Sequence, residues 1–297
     1  MKIGAVQCVV PAGARLGECP VWSVREQVLY WVDIAGHRLH RFDPASGSDA
    51  FFQLDEDIGC IGLRERGGFI AGMRSGLWLL DAEGRKQRCV FVNESPQTSR
   101  FNDGRCDRAG RFWAGTIFEP RDRPAASLYR VDPDLRVTRV TGDITVSNGL
   151  AFSPDDRVMY HADTPAHVLY AYDFTLATGA IGARRIVRNF ERRQPDRKYG
   201  GRPDGAAVDS LDRYWSTQYE GGRVVCLAAD GTELVSIALP VKRTTMCAFG
   251  GPELRTLYVT SARDGASAEE LAAHPLSGGV FAIELDVAGL PEPEFGG

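Results

Sequence analysis

The sequence predicts an all-β protein: a six-bladed β-propeller of four-stranded blades, closed by pairing of its N- and C-terminal strands, spanning residues 1–297 as a single domain. Three observations predict this fold. A diverged internal unit of roughly 40–55 residues can be read six times along the chain. Its strands are short, rich in Val, Leu, Tyr, Trp and Phe, and bounded by Gly, Asp, Asn and Pro turns. Helical periodicity is nearly absent, with Ser267 to Ala273 the one stretch that reads as a turn or two of helix. A two-sheet sandwich of hairpins is the competing architecture; the repeat count, spacing and aromatic placement together favour the ring.

Each unit is an apolar strand, a polar turn, a second strand often carrying an aromatic, a loop and a third strand. The first runs through Pro20 to Trp22, Leu29 to Asp33 and Leu39 to Asp43. The second runs through Cys60 to Leu63, Gly68 to Gly72 and Gly76 to Asp81. The third opens at Asp103, turns at Arg108 to Gly110, and continues through Phe112 to Thr116 and Ser127 to Asp132. The fourth is the clearest: Asn148 to Phe152, a turn at Ser153 to Asp156, then Val158 to Asp163 and Val168 to Asp173. The fifth has Asp204 to Asp209, Tyr214 to Thr217 and Val224 to Leu227. The sixth has Cys247 to Gly250, Leu257 to Thr260 and Gly279 to Ile283. The segment Ile3 to Val10 has no partner in its own unit, so it is expected to supply the outer strand of the last blade and remove exposed sheet edges.

Composition excludes several classes. The net charge is −4, with no basic stripe, which argues against nucleic acid as partner. The one dense charge run, Glu191 to Lys198, reads as a solvated loop. No stretch is long and apolar enough for a signal-peptide core or a bilayer span, so the expectation is a soluble, cytoplasmic monomer without membrane partners. The seven cysteines are odd in number and lack a Cys-x-x-Cys pair, so neither a disulfide framework nor a zinc ribbon is indicated. Cys8, Cys60, Cys89, Cys106, Cys226 and Cys247 lie in apolar runs and are expected to pack as small hydrophobes; Cys19 is expected nearer the site. The five histidines show no metal-binding spacing and the five tryptophans read as core. No nucleophile elbow, Walker loop or dinucleotide fingerprint is present.

Polar residues recur where the units open: Glu18, Asn102 with Asp103, Asn148 and Asp204. Taken singly, Asp-Gly and Asn-Gly are ordinary turn dipeptides. Glu18, followed by Cys19 and Pro20, does not fit that reading, and the joint pattern fits it less. In a propeller, residues opening successive inner strands share one level of the central channel. Glu18, Asn148 and Asp204 would then offer two carboxylates and an amide oxygen to one cation. Hard oxygen donors favour Ca²⁺, Mg²⁺ or Mn²⁺ over a structural zinc. Three protein ligands would leave positions for water and substrate.

Leu16 to Trp22, Arg100 to Gly104 with Asp107 and Gly110, Ser147 to Asp155 and Pro203 to Gly205 resemble the regucalcin/gluconolactonase family, as do Phe249 to Thr260 and Pro275 to Phe281. The resemblance covers essentially the whole chain. It implies a propeller with one catalytic divalent cation that hydrolyses sugar lactones such as gluconolactone, xylonolactone or arabinonolactone. It also implies that Glu18, Asn148 and Asp204 hold the metal, that Asp204 doubles as general base, and that Arg100 and Asn102 bind substrate. Glu119 stands one position from an acidic substrate contact found in some members and is carried as a further contact. Cys19 departs from the glycine that often follows the first glutamate. Ca²⁺ is the favoured cation, with Mn²⁺, Mg²⁺, Zn²⁺ and Fe²⁺ as alternatives. An aryl-ester or organophosphate hydrolase and a non-catalytic binding propeller are the competing functions. The choice of lactone is expected to reside in the loops Glu119 to Ala126 and Phe190 to Arg202.

Overall fold

The structure, a computed structural model, describes residues 1–93 and 95–297. Six four-stranded antiparallel sheets form the ring of a β-propeller. Their innermost strands are Gly17–Ser23, Ile58–Leu63, Ser99–Cys106, Ser147–Phe152, Arg202–Val208 and Thr244–Gly250, in blades 1 to 6. Each packs against the inner strand of the next blade, and that of blade 6 returns to that of blade 1. Gln7–Val10 pairs antiparallel with Val280–Glu284 as the outermost strand of blade 6, so chain start and chain end close one sheet. Ser267 caps the helix Ala268–Ala273. No helix among the described residues is long and apolar enough to cross a membrane.

Burial falls from axis to rim. The inner strands are buried along nearly their whole length, because both faces pack against neighbouring blades. The outermost strands, such as Ser48–Gln53 and Ala180–Asn189, alternate toward solvent. Trp31, Trp113 and Trp215 are fully buried between blades. Cys89 corrects one expectation: it is exposed, because it lies on the outermost strand of blade 2, Lys86–Val92, where apolar residues face water. All seven cysteines are free thiols.

Two blades repeat one hairpin device. Asp107 accepts hydrogen bonds through Oδ2 from Trp113 Nε1 at 2.8 Å and Arg111 Nε at 2.7 Å, and through Oδ1 from the Ala109 and Arg111 amides. In blade 5, Asp209 does the same with Trp215 at 2.8 Å, Arg213 at 2.7 Å and the Leu211 and Arg213 amides. The aspartate closes the first turn and locks the blade's central tryptophan. Both are fully buried, so their charge depends on these donors. Asp107→Ala leaves the buried Arg111 guanidinium without its carboxylate and the Trp113 indole without its acceptor, and is expected to destabilise the protein by about 3 kcal/mol or more, read as an earlier midpoint of chemical denaturation.

Candidate functional site

Every inner strand carries an irregularity in its pairing with the second strand of its blade. The register breaks between Glu18 and Val21, Ile58 and Cys60, Phe101 and Gly104, Asn148 and Ala151, Pro203 and Ala206, and Thr244 and Cys247. Glu18, Asn102, Asp103, Asn148 and Asp204 all sit at or inside these β-bulges. A bulge leaves residues unpaired and re-aims their side chains. The Asp-Gly and Asn-Gly pairs are therefore bulges inside strands rather than turns between them. The bulge of blade 4 requires its glycine twice over: Gly149 has φ +59°, and a Cβ there would stand 2.2 Å from the Tyr214 hydroxyl, which donates to Gly149 O at 2.7 Å. Cys19 adopts φ 43°, the left-handed conformation that glycine takes without penalty, and its Sγ accepts from the Ile61 amide at 3.2 Å. Burial pushes its thiol pKa up, which makes it a packing group.

At the mouth where these strands begin, a cleft of about 530 Å³ is lined by Glu18, Arg100, Asn102, Arg121, Asn148, Thr164, Arg202, Asp204 and Tyr219, with Leu16, Ile117, Val146 and Pro165 completing its wall. Five of the six sequence-predicted site residues meet there, from blades 1, 3, 4 and 5. Glu119 does not line the cleft. It stands behind Arg100, with its Oε1 3.9 Å from Arg100 Nε, and is gripped at both oxygens by Arg74 at 2.8 and 3.0 Å. That clamp holds its carboxyl below the usual range.

A relay of hydrogen bonds orients the site. Arg100 Nη1 donates to Asn102 Oδ1 at 2.8 Å. Asn102 Nδ2 donates to Asn148 Oδ1 at 3.0 Å and to Ser147 O at 2.9 Å. Asn148 Nδ2 donates to Thr164 Oγ1 at 2.8 Å, and Thr164 donates to Pro203 O at 2.8 Å, next to Asp204. Both ends of the Asn148 amide are thereby assigned, and its oxygen keeps a free lone pair.

Glu18 and Asp204 are both buried, and the carboxyl pKa of each stands well above the usual range. Desolvation is the main cause; for Glu18 the Asp204 charge comes second, and for Asp204 the Asp103 charge. Asp103 lies deeper, with Oδ2 bonded by the Leu150 amide at 2.9 Å and Oδ1 without a partner. Among the described residues no three His, Cys, Asp or Glu side chains form a metal-holding group; the donor set is two carboxylates and one amide. It fits a hard divalent cation, whose charge would offset the repulsion that burial imposes on Glu18 and Asp204.

Four further polar lining residues were not singled out from the sequence: Thr164 and Tyr219, and Arg121 and Arg202, which lie within the loops expected to choose the lactone. Two follow from register alone, since antiparallel pairing sets Tyr219 opposite Arg202 and the end of a second strand beside the start of the first. His161, adjacent in sequence to this region, is a core residue. Its Nε2 meets Ser147 Oγ at 2.7 Å, and burial pulls its pKa down to about 4, so it is neutral. A second concavity of about 440 Å³ opens at the opposite mouth, crossed by Leu290 to Pro293. Two carboxylates line it: buried Asp107, held by Arg111 and Trp113, and half-buried Glu292, paired with Arg105 at 3.1 Å.

A family model described as "SMP-30/Gluconolactonase/LRE-like region" matches residues 16–263. A 6-deoxy-6-sulfogluconolactonase of Pseudomonas putida is 55% identical over 293 residues, covering 98% of this chain and 99% of that one. A pentonolactonase of Haloferax volcanii is 38% identical over 292 residues, covering 97% and 96%. The solved structure of a calcium-binding protein, regucalcin, from Agrobacterium tumefaciens superposes with a TM-score of 0.90 at 27% identity, covering 98% of this chain and 97% of that one.

The raised carboxyl pKa values give a signed expectation for metal-free protein. A folded-state pKa above the unfolded value favours the protonated form. The stability it contributes is full below the unfolded carboxyl range and is lost as pH rises through the folded value. Asp204→Asn should therefore raise the thermal midpoint of metal-stripped protein at pH 8, and the gain should shrink toward pH 4.

Proposed function

This chain belongs to the SMP-30/gluconolactonase/LRE-like family, and from that premise we propose that it hydrolyses a sugar lactone to the aldonic acid at one divalent cation held by Glu18, Asn148 and Asp204. The observation that carries the reading is the convergence of two desolvated carboxylates and an oriented amide on one cleft. The lactonase names of two relatives support the substrate class, and the calcium-binding description of the structural neighbour supports a divalent cation, with Ca²⁺ favoured over Mn²⁺, Mg²⁺, Zn²⁺ and Fe²⁺. When bound, the cation would supply Lewis-acid polarisation of the lactone carbonyl.

The chain's own residues supply the rest. Asp204 accepts a proton from the water whose oxygen bonds the carbonyl carbon. The ring C–O bond then breaks, and the ring oxygen takes that proton from Asp204 and leaves as a hydroxyl, which returns Asp204 to its carboxylate form. Arg100 holds Asn102, and Asn102 holds Asn148, so the first two act as positioning residues; Arg100 can also donate to sugar oxygens through Nε and Nη2, while Asn102, with both N–H groups committed, can accept from a sugar hydroxyl at Oδ1. Gluconolactone, xylonolactone, arabinonolactone and the sulfonated gluconolactone named for the Pseudomonas relative form the substrate set. The polar and cationic lining favours these over an aryl ester.

The test is acid release from these lactones by metal-stripped protein, refilled with each cation in turn. The expected result is restored hydrolysis above the spontaneous rate, with kcat lowered about 10²–10⁴-fold in Asp204→Ala. No acceleration by folded protein with any cation would overturn the proposal.

A further inference from the structure

We propose that Arg121 and Arg202 form an anion clasp over the cleft, selecting lactones that carry a tetrahedral anion, a sulfonate or a phosphate, at the end of the sugar remote from the carbonyl. The inference rests on the cleft being the lactone site. Both arginines line it together with Glu18, Asn148 and Asp204. They arrive from different blades: Arg121 from the turn after the second strand of blade 3, Phe112–Phe118, and Arg202 from the first position of the inner strand of blade 5. They belong to the two loops in which the sequence places substrate choice.

Their own partners leave charge unspent. Among the described residues the exposed Arg121 guanidinium has neither a carboxylate nor a hydrogen-bond acceptor within bonding distance, whereas Arg74, Arg111, Arg130 and Arg188 all have both. Arg202 reaches Glu220 at 3.4 Å, but Arg193 reaches the same Glu220 oxygen at 3.4 Å. Two guanidiniums thus share one carboxylate. Arg202 Nε is buried without an acceptor, while its guanidinium lies 5.2 Å from the Tyr219 ring centroid.

The charge balance of the cleft points the same way. A divalent cation on Glu18 and Asp204 cancels those two carboxylates. Asp57 and Glu119, the carboxylates that act on Arg100, are already clamped by Arg74. Asp103 lies deeper and does not line the cleft, and the charged side chains that remain on its wall, Arg100, Arg121 and Arg202, are all positive. A neutral polyhydroxy lactone needs hydroxyl-directed hydrogen bonds and gives unpaired guanidiniums nothing to neutralise. A sulfonate or phosphate offers three oxygens to two forked donors, the geometry arginine binds best, and the surplus charge draws such substrates in.

The experiment measures kcat/KM of metal-loaded protein on glucono-, 6-phosphoglucono- and 6-deoxy-6-sulfogluconolactone. Wild type is compared with Arg121→Gln, Arg121→Lys and Arg202→Gln, at low and at about 0.5 M salt. The expected wild-type preference for an anionic over the neutral lactone is about tenfold or more, and each Gln variant lowers that ratio about tenfold. Arg121→Lys keeps part of it, and salt weakens it. Whichever anion gives the larger ratio identifies the group read. Hydrolysis of the neutral lactone without an anionic preference, or a preference that both Gln variants retain, overturns the clasp alone. Failure to hydrolyse any lactone overturns the clasp and the lactonase reading together.

Discussion

Two desolvated carboxylates, Glu18 and Asp204, share one cleft, and the rest of the structure is arranged around that unfavourable pair. They are 186 residues apart in the sequence, and they come together because blades 1 and 5 belong to one closed ring. Left metal-free, the pair is mutually repulsive and badly solvated, which is why both carboxyls are pushed toward the protonated form. Such a pair persists in a fold only where something offsets it, and a divalent cation does so most directly. Closure of the ring by Gln7–Val10 on Val280–Glu284 resists the spreading of blades by which the repulsion could otherwise be relieved.

The bulges convert this ring into a site. A regular inner strand would pair each residue with the neighbouring strand and alternate its side chains between the two faces. An irregularity at the same level in successive blades instead turns Glu18, Asn102, Asn148 and Asp204 toward the cleft. The relay from Arg100 through Asn102, Asn148 and Thr164 to the Pro203 carbonyl then ties blades 3, 4 and 5 together in one hydrogen-bonded chain. Such a network fixes the direction in which an amide oxygen points, and a ligand amide with both ends assigned has little freedom to rotate away.

Much of this was legible in the sequence, for identifiable physical reasons. The inner and second strands announce themselves because they are buried on both faces and therefore written in Val, Leu, Phe and Trp. The outermost strands were not individually readable: Ala180–Asn189, for example, is polar and exposed and resembles a loop in composition. The level shared by Glu18, Asn148 and Asp204 followed from repeat position, but the bulges did not, because Asp-Gly and Asn-Gly serve turns and bulges equally. The tie between Glu119 and Arg74 joins blades 3 and 2, and that between Thr164 and Pro203 joins blades 4 and 5. Contacts between blades leave no periodic trace in a single chain. Cys89 misled because an apolar run on an outer strand looks the same as one in the core.

The central claim is that Glu18, Asn148 and Asp204 form one cation site, in which burial and mutual repulsion push both carboxyls toward the protonated form until the cation arrives. Calorimetric titration of metal-stripped protein with Ca²⁺, repeated in buffers of different ionisation enthalpy, tests it most directly. The account predicts one cation per chain, with protons released on binding and fewer released as pH rises. Absence of binding by Ca²⁺ or any other divalent cation, or binding at full strength by Glu18→Gln and Asp204→Asn, would contradict it.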